Sequence, residues 1–159
     1  MHNFFLNPNT GIFLKFLLAI ILGAILGVQR NLSHKTAGMR TFSMVTLGSC
    51  LFIVISEVVG KGNGINFSDY LPMQVPAAII SSIGFLGAGL IIFKDDKING
   101  LTTAAGLWVA CGIGIAIGFD LYMMAVLATF FTFLIFTFLW RIEEKIKEIS
   151  KQAVPNDSL

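Results

Sequence analysis

The chain has 159 residues, of which 55% are hydrophobic and only 13% charged, and its mean hydropathy is +0.82. Soluble domains carry about one quarter charged residues, so this composition excludes a soluble globular protein and indicates an integral membrane protein. The net charge of +2 is not clustered as it would be on a nucleic-acid-binding surface, so we expect no nucleic-acid partner.

Apolar segments predict an all-α membrane bundle of five transmembrane helices, since each span needs about 20 residues. The first apolar run has no basic region before it and continues directly into Gln29 and Arg30, so we interpret it as a retained span instead of a signal peptide. We predict a transmembrane domain over 1–140 and a short amphipathic tail over 141–159, with spans at about 12–29, 39–59, 71–93, 100–119 and 121–140.

Lysine and arginine are distributed unequally between the two sides of this predicted bundle. Nine of them fall in the linker after span one, the loop after span three and the tail, whereas the other side has only Lys15 and Lys61. The positive-inside rule therefore predicts an external amino terminus and a cytoplasmic carboxy terminus.

Half of the sixteen glycines lie between residues 84 and 118. A glycine inside a soluble helix costs about 1 kcal/mol relative to alanine, but in lipid small residues let helices approach closely. We therefore predict helix-packing faces at intervals of four residues, formed on span one by Gly23 and Gly27 and on span four by Thr102, Gly106, Ala110, Gly114 and Gly118.

Two groups of charged residues near the span ends leave alternatives open. Lys15 and Glu57 lie toward the outer ends of neighbouring spans, where they either pair at the mouth of a cavity or reach water separately. Arg30 and Arg40 either turn inward to bond the span ends or serve topology and contact lipid phosphate. No acid lies in the middle of a span, which disfavours a carrier built on a buried carboxylate.

Other patterns give no support for catalysis or cofactor binding. The glycines from Gly84 to Gly89 lie within a span, whereas nucleotide-binding glycine loops join a strand to a helix. Asp95 and Asp96 are better explained as a solvated loop than as a cation site. We find no nucleophile and base and no metal cluster, so we expect no cofactor and no enzymatic activity.

Four motifs carry a resemblance to a known family. They are Leu26-Gly27-x-Gln29-Arg30, Ala37-Gly38-Met39-Arg40-Thr41, the run from Gly84 to Gly89, and Gly100-Leu101-Thr102-Thr103-Ala104-Ala105-x-Leu107-Trp108. In this order and spacing the chain resembles the MgtC/SapB family of bacterial inner-membrane proteins. The resemblance implies functional candidates at Gln29, Arg30, Gly38, Arg40, Thr41, Gly84, Phe85, Gly87, Gly89, Gly100, Leu101, Thr102, Thr103 and Trp108.

The resemblance further implies a function in magnesium or ion homeostasis and in virulence, exerted by regulating a partner membrane protein. ATP synthase or a cation transporter is the expected partner within the lipid bilayer, and a second copy of the chain is another candidate. A small oligomeric ion or solute transporter, or channel, with its path along the Gly and Thr faces of spans three and four, is the alternative.

The chain departs from the family pattern at three positions. Neutral Gln29 replaces an acid, Gln74 replaces an arginine, and Ser82 replaces a common glycine. These changes suggest that an amide pair has replaced a charge pair. The soluble carboxy-terminal domain of longer members is not expected here.

Overall fold

The computed structural model describes residues 8–33, 35–62, 73–94, 97–142, 145–146 and 149. Over these residues the all-α class is confirmed, with a two-stranded antiparallel hairpin as its only sheet. The elements are α1 (Pro8–Leu32), α2 (Met39–Gly62), α3 (Gln74–Leu90), β1 (Ile92–Lys94), β2 (Lys97–Asn99), α4 (Leu101–Gly118) and α5 (Tyr122–Leu134), which continues as a π-helix over Ile135–Leu139.

Among the described residues, four helical segments are long and apolar enough to cross a membrane, which makes the chain a multi-pass membrane protein. These segments are Asn9–Leu32, Met39–Gly60, Leu101–Gly118 and Tyr122–Ile142. With 17 residues, α3 is about 25 Å long and lies at the lower limit for a span. Residues 63–72, which connect α2 to α3, and most of the predicted tail lie outside the described residues.

The end of the third predicted span is wrong, because the chain leaves the helix at Leu90. Ile92 pairs with Asn99 and Phe93 with Ile98 in the hairpin. Gly100 then joins the hairpin to α4 with a φ of 90°, in the left-handed region that favours glycine. A Cβ at Gly100 would also overlap the Leu90 carbonyl group, so the close return of the chain past α3 requires glycine.

The turn between α4 and α5 is equally tight. Asp120 adopts a φ of 63°, a conformation that aspartate tolerates better than most residues. The backbone N–H of Leu121 donates to the carbonyl oxygen of Ala116 at 2.8 Å. The two helices are thereby held as neighbours.

Helix α2 lies between α1 and α4, and glycines of both helices approach it closely. A Cβ at Gly23 would lie 2.7 Å from Ser43 Cα, and one at Gly27 would lie 2.8 Å from the carbonyl carbon of Gly38. Thr46 Oγ1 adds a hydrogen bond of 2.7 Å to the carbonyl oxygen of Ala19. These contacts allow no side chain at Gly23 or Gly27.

The inner face of α4 consists of Gly106, Ala110, Gly114 and Gly118, all buried. A Cβ at Gly114 would overlap the Thr46 carbonyl oxygen, and one at Gly118 would lie 2.5 Å from Ile53 Cβ. The predicted inclusion of Thr102 in this face is wrong, because its side chain is exposed. A spacing of four residues advances about 40° beyond a full turn, so Thr103 occupies the inner position instead.

Helix α5 directs small and hydroxyl residues inward and most of its aromatic residues outward. Ala125, Thr129 and Thr132 are buried, whereas Phe130 and Phe131 are exposed. Phe136 is buried and packs edge-to-face against Phe42 with 6.1 Å between ring centroids. Phe136 was not predicted as a core residue, although its spacing from Thr132 and Thr129 continues the same helical stripe.

Candidate functional site

Arg30 lies in the last turn of α1 and points into the bundle. Its side chain is only 5% exposed. Nη2 donates a hydrogen bond to Thr103 Oγ1 at the start of α4, and Cζ lies 4.7 Å from the centroid of the Phe136 ring. A guanidinium over an aromatic face gains a cation–π interaction, so three helices together hold this charge.

Gln29 completes the same cluster from the adjacent position. Its Nε2 donates to the Phe136 carbonyl oxygen at 2.7 Å and to Ser33 Oγ at 3.2 Å. We call Gln29, Arg30, Thr103 and Phe136 the arginine site. Two of the four motifs of the sequence analysis meet there, since Gln29 and Arg30 come from the first and Thr103 from the last.

The charge of the arginine site is not balanced by an acid in the described part of the chain. Within that part, Arg30 forms no ion pair, and the ion pairs of Lys15 lie at the opposite end of the bundle. Arg30 Nε and Gln29 Oε1 are buried without a hydrogen-bond partner. A buried charge without an opposite charge is costly, and the single hydroxyl and the aromatic ring offset that cost only in part.

The second motif, from Ala37 to Thr41, lies at the end of the α1–α2 loop and the start of α2. Gly38 faces Asn31, whose Cγ would lie 2.8 Å from a Cβ at that position. Arg40 and Thr41 begin α2 and are exposed. Gly38 therefore allows a close loop contact, while Arg40 and Thr41 face outward.

The glycine motif of α3 is mostly unpacked. Gly84 and Gly89 have no atom within 4 Å of a Cβ position, and Phe85 is 84% exposed. Gly87 alone of the three is buried, and its Cβ position lies 3.6 Å from Ala104 Cβ on α4. Two residues of the fourth motif, Leu101 and Trp108, are likewise exposed.

Small residues form a continuous exposed face on α3. They are Ala77, Ser81, Gly84 and Ala88, all exposed, at spacings of four, three and four residues. This spacing places them on one side of a helix. We call this surface the α3 small face.

A groove of about 1060 Å³ separates α2 from α3. Its walls are mainly aliphatic and aromatic, with hydroxyl groups from Thr41, Ser49, Ser56 and Ser82. Gln74 lines it in the first turn of α3, whereas Gln29 bonds Phe136 and Ser33. The predicted amide pair between Gln29 and Gln74 is therefore wrong.

At the opposite end of the bundle, Lys15 is held by two carboxylates. Its Nζ lies 2.8 Å from Asp120 Oδ2 and 3.7 Å from Glu57 Oε2, and donates to the Gly118 carbonyl oxygen at 3.0 Å. Of the two alternatives left open by the sequence, the structure shows Lys15 paired with Glu57. Asp120 was missed as a partner, because the sequence showed it only as a separator between two spans.

No group of three or more metal-ligating side chains occurs among the residues whose placement is described. Asp95 and Asp96, weighed as a cation site from the sequence, lie outside them. The arginine site contains hydrogen-bond donors, a hydroxyl group and an aromatic ring. It therefore has the groups for binding an anion.

Comparison with known proteins gives a family match over most of the chain. The model of the MgtC family matches residues 16–145. An uncharacterized protein of Haemophilus influenzae is 41% identical over 122 residues, which cover 74% of this chain and 51% of that protein. MgtC of Brucella abortus is 39% identical, over 71% of this chain and 44% of that protein. The putative magnesium transporter YhiD of Escherichia coli is 33% identical, over 76% of this chain and 59% of that protein.

The chain thus spans about half the length of these relatives. No solved structure matches it significantly. The similarity covers the helical bundle and the arginine site together.

Proposed function

Because this chain belongs to the MgtC family, we propose that it is a bacterial inner-membrane protein that regulates a partner membrane protein through direct contacts between transmembrane helices. Its physiological setting is magnesium or ion homeostasis, with a role in virulence. The printed name of the Escherichia coli relative, a putative magnesium transporter, supports the ionic setting. ATP synthase or a cation transporter is the partner class that we favour.

The α3 small face is the observation that carries this proposal. Helices in lipid gain no hydrophobic energy by associating, so they meet where small residues permit close packing. Gly84 lies in the centre of this face with open space around it. A helix of another protein can therefore approach the α3 backbone closely at Gly84.

A photo-crosslinking amino acid at Ser81 tests the contact in native membranes, with the same amino acid at Ala105, an exposed position on α4, as the control. We expect a crosslinked membrane protein from Ser81, and we expect Gly84→Leu to abolish it while Gly112→Leu leaves it intact. Both glycines have open space at the Cβ position, so the variants are matched. Equal products from both crosslinker positions, or none from Ser81, would contradict the proposal.

We also propose five crossings, with the amino terminus outside and the carboxy terminus in the cytoplasm. The basic residues near the span ends support this orientation. Cysteines introduced at Asn63 and Ser150, two positions outside the described residues, should react with impermeant reagents from opposite sides. Labelling from the same side would refute the topology.

The groove between α2 and α3 favours a second candidate function, a small oligomeric transporter or channel. Its hydroxyl groups could replace part of the hydration shell of an ion. Purified protein reconstituted in liposomes separates the two functions, because a regulator should give no more Mg²⁺ flux than protein-free liposomes. Robust flux that Ser49→Val reduces would favour the transporter.

A further inference from the structure

Arg30 retains hydrogen-bonding capacity that the described residues do not use. Nε and Nη2 lie on the same edge of a guanidinium group, and Nη2 contacts Thr103. Nε on that edge is buried and has no partner. The free donor of a 95% buried arginine therefore lies on the guanidinium edge that faces the first turn of α4.

The first turn of α4 adds further donors. Helix α4 has 18 residues, and Gly100 at its N-cap has no side chain to cap it. The N–H groups of Leu101, Thr102 and Thr103 have no acceptor within the helix. The helix dipole also places positive charge at this terminus, beside the positive charge of Arg30.

We propose that Arg30 and the first turn of α4 form a binding site for a phosphate oxyanion. An arginine edge offers two parallel donors to phosphate oxygens, and an uncapped helix N-terminus is a favourable anion site. Thr103 accepts from Arg30, so its own hydroxyl proton is free to donate to the ligand. The oxygens of a phosphate group can accept from the Arg30 edge, from the N–H groups of the first turn of α4 and from the Thr103 hydroxyl.

The position of the site suits a ligand from the membrane surface. Arg30 lies in the last turn of the first membrane-span candidate, and Leu101 begins another such segment. Leu101 and Thr102 are exposed, so the outer side of this turn is open to a ligand, whereas Arg30 Nε is buried and contacts a ligand only when the side chains that cover it shift. Anionic phospholipid headgroups bind basic pockets between helices at this depth, and inorganic phosphate offers the same chemistry. This binding site does not depend on the proposed regulation of a partner.

The test uses the full chain in nanodiscs of phosphatidylcholine, with either phosphatidylglycerol or inorganic phosphate titrated at constant ionic strength. Thermal unfolding reports stabilisation, and native mass spectrometry reports the number of bound lipids. We expect one of the two ligands to stabilise the protein in a saturable manner. Arg30→Gln should raise the ligand concentration at half-saturation about tenfold or more, since a charge-assisted hydrogen bond is lost. Arg141→Gln removes the same charge from an exposed position and should not change the ligand concentration at half-saturation.

A second variant tests the site if Arg30→Gln does not fold. Gln29→Glu introduces a carboxylate beside Arg30. This carboxylate should compete with the ligand and raise the ligand concentration at half-saturation by a similar factor. A response only to phosphatidylglycerol identifies the lipid headgroup, and a response to inorganic phosphate in phosphatidylcholine alone identifies the free ion. No stabilisation of the wild type by either ligand would overturn the proposal. Equal responses from the wild type and from each folded variant at positions 29 and 30 would also overturn it.

Discussion

Helices α3 and α4 are both rich in glycine, but their glycines have different surroundings. On α4, Gly106, Gly114 and Gly118 contact side chains or backbone of α2 and α5. On α3, Gly84 and Gly89 have open space where a side chain would extend. The same residue type thus serves packing within the chain in one helix and leaves a surface available in the other. Only the contacts distinguish the two uses.

Among the substitutions that test this difference, Gly114→Leu should change the stability of the protein most. A side chain at this position would overlap the Thr46 carbonyl oxygen and lie 2.8 Å from Ser49 Cβ, and α2 backbone cannot move aside as a flexible side chain can. We expect destabilisation of about 3 kcal/mol or more, seen as a lower unfolding temperature and aggregation in detergent. Gly112→Leu, two residues away in open space, is the control. Equal stability of the two variants would show that α4 does not pack as described.

Gly87→Leu should have an intermediate effect, because Gly87 is the point where α3 contacts α4. Its Cβ position lies 3.6 Å from Ala104 Cβ, so alanine fits there, whereas leucine would push the helices apart. We expect a loss of about 1–2 kcal/mol and a longer α3–α4 distance between paired spin labels. Gly87→Ala serves as the control and should leave the distance unchanged. An unchanged distance in Gly87→Leu would mean that α3 is anchored by other contacts.

Gly84→Ala should change the stability of the protein least, and it should increase it. Because the position is helical and open, alanine lowers the conformational entropy of the unfolded chain without a clash. We expect a gain of about 0.5–1 kcal/mol, measured as a higher unfolding temperature of the purified protein. A loss of stability would indicate that a neighbour already occupies the α3 small face in detergent.

The sequence predicted the helices well, because hydrophobic runs and small-residue spacing are local properties. It placed Gly106, Gly114 and Gly118 on one face, and the structure buries all three. Thr102 was misassigned, since a four-residue spacing drifts around the helix over several turns. The hairpin was missed because Ile92 and Phe93 continue the apolar run of α3 without interruption.

The candidate site was harder to predict, because its contacts join distant parts of the chain. The family motifs pointed to Gln29, Arg30 and Thr103 separately. The contacts of Gln29 and Arg30 with Phe136, 107 residues after Gln29, depend on how α5 packs against α1. Asp120 beside Lys15 is a similar case. In both, the residue types were visible in the sequence but the pairing was not.

The π-helical segment at Ile135–Leu139 has a consequence for how α5 can evolve. A π-helical turn contains about one residue more than an α-helical turn, so it behaves as an insertion that the helix has absorbed. The Phe136 carbonyl oxygen, which accepts from Gln29, belongs to this widened turn. Deleting one residue there would restore regular α-helical winding and remove the widened turn that presents this carbonyl oxygen, so the additional residue and the acceptor for Gln29 are inherited together.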